Sequence, residues 1–77
     1  MTDAYVHVVA EPSAIQQAAN AIAGRDSVSA VHLVTGEHDI TVQLEVESKE
    51  DIASVVTEDI HSVMGVIDTE THVAYEP

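Results

Sequence analysis

Seventy-seven residues make one domain with a thin core, and a chain without cysteine has no disulfide or thiolate metal site to brace it. Fourteen acidic residues against only Arg25 and Lys49 give a formal net charge of −12, which sets the chain against nucleic-acid phosphates and anionic lipid surfaces. No apolar run approaches the roughly 20 residues that cross a bilayer. Met1-Thr2-Asp3-Ala4 lacks the basic and apolar regions of a signal peptide, so the expected location is the cytoplasm.

The acids form no tail. They run from Asp3 to Glu76 and are densest at Glu45, Glu47, Glu50 and Asp51. Apolar residues make up 45% of the chain, too many for charge-driven disorder. An acid-rich, lysine-poor surface around an ordinary core resembles proteins of salt-loving organisms, in which concentrated cations screen self-repulsion. The other reading is an acidic protein that meets a basic partner. A core this small, with no covalent brace, also favours oligomerisation.

In chain order, Ala4 to Ala10 is valine-rich and reads as a strand. Pro12 suits the first turn of a helix over 12–24, whose apolar positions Ile15, Ala18, Ala19, Ile22 and Ala23 share one face, with Gly24 at its end. That helix carries no charge, and its outer residues Gln16, Gln17 and Asn20 are open to a neighbouring subunit. Residues 28–35 form a second strand, 36–39 a turn, and 40–46 a third strand in which Ile40, Val42, Leu44 and Val46 alternate with polar residues.

The stretch 49–63 carries two opposed signals. Ile52, Val55, Val56, Thr57, Ile60 and Val63 are β-branched, yet the apolar positions keep a helical period. Ser48 followed by Asp51 resembles a capping box, and Glu50 and Asp51 suit the positive end of a helix dipole, so helix is expected. Gly65 ends it, and 66–75 is the last strand.

The order β-α-β-β-α-β predicts an α+β, ferredoxin-like domain spanning residues 1–77. Right-handed crossovers place its antiparallel strands in the order 4-1-3-2, with both helices on one face. Alternation assigns Tyr5, His7, Ala30, His32, Val34, Thr41 and Gln43 to the uncovered face, a candidate self-association surface.

Thr35-Gly36-Glu37-His38-Asp39, between the apolar strands Ala30–Val34 and Ile40–Val46, resembles the strand–turn–strand signature of the Lrp/AsnC ligand-binding domain, also called the RAM domain. Gly65-Val66-Ile67-Asp68-Thr69-Glu70-Thr71 resembles the Gly-Val-x-x-Thr-x-Thr strand of the same family. The resemblance implies dimers joined through their sheets, assembly into octamers or decamers, and clefts between dimers that take amino acids or related metabolites. It also implies transcription regulation. Because Asp3 leads directly into the first strand, the chain reads as a form without a helix-turn-helix domain, acting on full-length Lrp/AsnC regulators or another partner.

The candidate ligand-binding residues are Thr35, Gly36, Glu37, His38, Asp39, Thr69 and Thr71. Gly36 admits close backbone approach, and Asp39 is a carboxylate suited to an α-ammonium, although the same residues also suit an ordinary hairpin turn. Thr69 and Thr71 lie two apart and share one strand face, where hydroxyls can meet a carboxylate or amine. His7, His32 and His72 are expected on the uncovered face, with His32 about 10 Å from His7, which strains a three-histidine metal site within one subunit and leaves open one completed across a dimer. No cofactor, metal or catalytic residue is assigned. The serines at 13, 27, 29, 48, 54 and 62 have no nucleophile context, and no acid pair is marked out, so the chain does not read as an enzyme. Two rivals remain: a pure assembly module without ligand, and a small dimeric ferredoxin-like enzyme.

Overall fold

The computed structural model describes residues 2–77. Strand β1 (Thr2–Ala10) is followed by a 3-10 turn (Pro12–Ala14), helix α1 (Ile15–Ala23), β2 (Val28–Leu33) and β3 (Ile40–Val46). Helix α2 (Asp51–Val55) runs on as a π-helical segment (Val56–His61), and β4 (Val66–Ala74) closes the fold. The sheet is antiparallel with the order β2-β3-β1-β4, the expected ferredoxin-like arrangement. Among the described residues no helix is long and apolar enough to cross a membrane.

Alternation builds the core. Ala4, Val6 and Val8 of β1 and Ile40, Val42 and Leu44 of β3 are fully buried on one side of the sheet. Over them lie Ala18, Ala19 and Ile22 of α1, with Ile52, Val56, Ile60 and Val63 from the second helical stretch. At roughly 1.5–3 kcal/mol per buried aliphatic side chain, this one layer carries most of the folding drive. Helix α1 packs on β2 and β3, and the π-helical segment packs on β4.

Several boundaries differ from the sequence expectation. β1 starts at Thr2, β2 stops at Leu33, and Val34 and Thr35 fall in the loop. The second helix begins at Asp51 rather than 49, and its latter half is π-helical. The β-branched run Val55-Val56-Thr57 crowds χ1 against the preceding turn in α geometry, and wider winding relieves that crowding. The capping box does not form: Ser48 Oγ donates to the Asp51 carboxylate at 3.1 Å, and the capping position, Glu50, makes no side-chain cap bond.

Gly65 has φ +96°, and a Cβ built on it would lie 2.6 Å from Ala14 Cβ. Its carbonyl accepts the Glu11 amide at 2.8 Å, so the end of the second helical stretch is pinned to the start of the first.

Candidate functional site

The loop between β2 and β3 is tied down at its Asp39 end. The Val34 amide donates to the Asp39 carbonyl at 2.9 Å, and the Asp39 amide donates to the Val8 carbonyl at 2.8 Å. Asp39 Oδ2 accepts the Ala10 amide at 2.9 Å, where the β1–β4 register shifts between Val9 and Ala10. Asp39 therefore bonds the backbone of another strand rather than of its own turn. One carboxylate oxygen is thereby committed to the fold.

Gly36 has φ +115°, and a Cβ placed on it would meet nothing within 4 Å, so the backbone angle, not space, demands glycine. Thr35, Gly36 and Glu37 are exposed, whereas His38 is half-buried and its ring lies 5.2 Å from that of His7.

Thr69 and Thr71 do share a face, as their spacing requires. Their register partners Val8 and Val6 are buried, so the two threonines stand on the helix side of the sheet. Thr69 Oγ1 and His61 Nε2 are 2.7 Å apart, joined by a hydrogen bond. Thr71 lines an open groove of about 460 Å³ between the second helical stretch and β4, together with Lys49, Ile52, Val56, His61 and Val73.

Within one chain these threonines do not meet the loop. β3, which the loop enters, is separated from β4 by β1, a spacing of roughly 10 Å. Lys49 and His61 were not singled out from the sequence. His61 belongs to the π-helical segment, which the apolar period does not reveal.

The uncovered face holds a histidine cluster. His7 Nδ1 and Thr41 Oγ1 are 3.2 Å apart, and the His7 and His72 rings are 5.3 Å apart, edge to face. His72 Nε2 is 2.8 Å from Glu70 Oε1. That hydrogen bond is the main cause lowering the Glu70 carboxyl from its ordinary value; desolvation opposes it, and His72, His38 and His7 add attraction. The third histidine of the cluster is His38, not His32, because β3 lies between β2 and β1. Among the described residues no group of three or more His, Asp or Glu is placed to hold a metal ion.

The chain's similarities agree with this geometry. A family model of the Lrp/AsnC ligand binding domain matches residues 3–77. An uncharacterized HTH-type transcriptional regulator of Pyrococcus horikoshii is 30% identical over 70 residues, covering 91% of this chain and 44% of that protein. The chain thus spans under half the length of this curated relative. The crystal structure of TTHA0845 from Thermus thermophilus superposes with a TM-score of 0.94 at 32% identity, covering 100% of this chain and 96% of that one. A transcriptional regulator of Neisseria meningitidis, solved as a complex with L-Met, has a TM-score of 0.86 at 19% identity, covering 97% of this chain and 50% of that one. The fold is common to the two solved structures. This chain belongs to the Lrp/AsnC ligand-binding domain family.

Proposed function

We propose that this domain is an amino-acid-responsive regulatory module that binds its ligand at the β2–β3 loop and works as an assembly of dimers. The observation that carries the reading is the exposed Thr35-Gly36-Glu37 segment, presented by a loop that Asp39 ties to β1. The loop's open amides and the free oxygen of Asp39 suit the two charged ends of an amino acid. The L-Met complex of the Neisseria meningitidis regulator supports that ligand class.

His38 and Asp39 complete the loop side of the cleft. Thr69 and Thr71 enter it from another subunit, since β1 separates them from the loop within one chain. Octamers or decamers, built from dimers that meet through their uncovered sheet faces, supply such a neighbour. Mixed assembly with full-length Lrp/AsnC regulators would connect the domain to transcription without direct DNA contact, which the charge of −12 opposes. The role is regulatory rather than catalytic, in a salt-rich cytoplasm.

A thermal-shift screen of all the amino acids in molar salt tests this reading. At least one amino acid should raise the melting temperature, because a ligand that binds only the folded assembly stabilises it. No shift with any of them would favour the pure assembly module.

A further inference from the structure

The strand register assigns most side chains of the uncovered sheet face. β1 presents Asp3, Tyr5, His7 and Val9; β4 presents Asp68, Glu70, His72 and Ala74. β3 presents Thr41, Gln43 and Glu45, and β2 presents Ala30 and His32. The loop adds the His38 ring beside His7. The charge-bearing set is thus four carboxylates, Asp3, Glu45, Asp68 and Glu70, and four imidazoles, His7, His32, His38 and His72.

Of the chain's two permanent cations, only Lys49 borders the rim of this face. Arg25 follows α1, and Lys49 stands 6.0 Å over the Tyr75 ring beyond the end of β4. Lys49 and Glu76 both border the hollow beside Asp3 and Tyr5. Glu37 and Asp39 flank His38 in the loop, and Asp39 is turned to the Ala10 amide.

From this placement we infer that histidine protonation on the uncovered face controls its pairing with a second copy of this chain. With the imidazoles neutral, the four carboxylates outweigh Lys49 at the rim, and two like faces repel. With them protonated, each face carries both signs in comparable number. A two-fold axis then sets imidazolium against carboxylate in both directions, which makes the face self-complementary. Exposed Tyr5, at the centre of the face, adds apolar area to either state.

Histidine is the side chain whose ordinary charge change falls between about pH 5 and pH 8. The inference rests on the sheet-face dimer proposed above and adds the sign of its pH dependence. Pairing that favours the protonated form takes up protons, so the dimer must strengthen as pH falls through the histidine range. Each proton taken up changes the dissociation constant by about tenfold per pH unit.

Sedimentation equilibrium of the whole chain from about pH 8 to about pH 5.5, at fixed moderate salt, reads this directly. The dimer dissociation constant should fall by at least about tenfold across that range. The slope should shrink in molar salt, where screening replaces neutralisation. The double variant His7→Gln/His72→Gln should lose most of the slope. His61→Gln, on the helix side, should keep it. Dimerisation that ignores pH, or that weakens on acidification, overturns this inference and leaves the sheet-face dimer standing. A chain that stays monomeric at every pH and salt overturns both.

Discussion

The carboxylate of Asp39 accepts the backbone amide of Ala10 at 2.9 Å and so joins the β2–β3 loop to the end of β1. An amide donating to a charged acceptor contributes about 1.5–3 kcal/mol. Asp39→Ala should lose stability on that order in a urea melt and speed hydrogen exchange at Ala10. Asp39→Asn, which keeps an acceptor oxygen, should lose less. Equal stability of Asp39→Ala and wild type would show that the bond carries nothing.

Gly65 and Gly36 separate backbone strain from collision. Both have positive φ, +96° and +115°, so alanine at either strains the backbone by about 1–3 kcal/mol. Only at Gly65 does the new Cβ fall 2.6 Å from Ala14 Cβ. Gly65→Ala should therefore be the more destabilising in chemical denaturation, and adding Ala14→Gly should recover the difference. Equal losses at the two glycines would contradict this packing.

Glu70 sets a pH dependence of known sign. Its hydrogen bond with His72 depresses its folded pKa. The stabilisation is thus present above the unfolded value and fades as pH falls through the folded one. The stability gap between wild type and Glu70→Gln should close in acid, as pH falls through the folded carboxyl's range. In His72→Gln, the Glu70 carboxyl should titrate nearer the ordinary carboxylate range by NMR. A gap that persists undiminished below that range contradicts the pairing.

Strand order and core were legible because alternation in β1 and β3 and helical spacing in α1 are backbone periodicities. What partners a side chain chooses is not periodic. Thr69 and Thr71 had to share a face, but the bond of Thr69 with His61 and the place of Thr71 in the groove depend on π-helical winding that no apolar count reveals. His72 beside His7 follows from strand order. His38 joining them instead of His32 follows from a loop conformation, which the sequence leaves open. Asp39 fits a turn, a ligand contact and a strap equally well as a residue type. Only its bond to Ala10 identifies the strap.

A net charge of −12 on 77 residues should make folding and assembly salt-dependent. Screening shortens from about 10 Å at 0.1 M to about 3 Å at 1 M, within the spacing of neighbouring surface charges. Melting temperature by circular dichroism and particle mass by light scattering should both rise across that range. Flat profiles would remove the salt-adapted reading.

The central claim is that the β2–β3 loop binds an amino acid in an assembled particle. Calorimetric titration of wild type, Thr35→Val and Gly36→Val with the twenty amino acids tests it most directly, with light scattering on the same samples. The valine at 36 adds strain at φ +115° and bulk to the loop, while Thr35→Val removes one exposed hydroxyl. The account predicts saturable binding of at least one amino acid to the assembled wild type, weakened in both variants while the dimer persists. Binding of that amino acid to both variants as tightly as to wild type, or no binding to wild type at all, would contradict it.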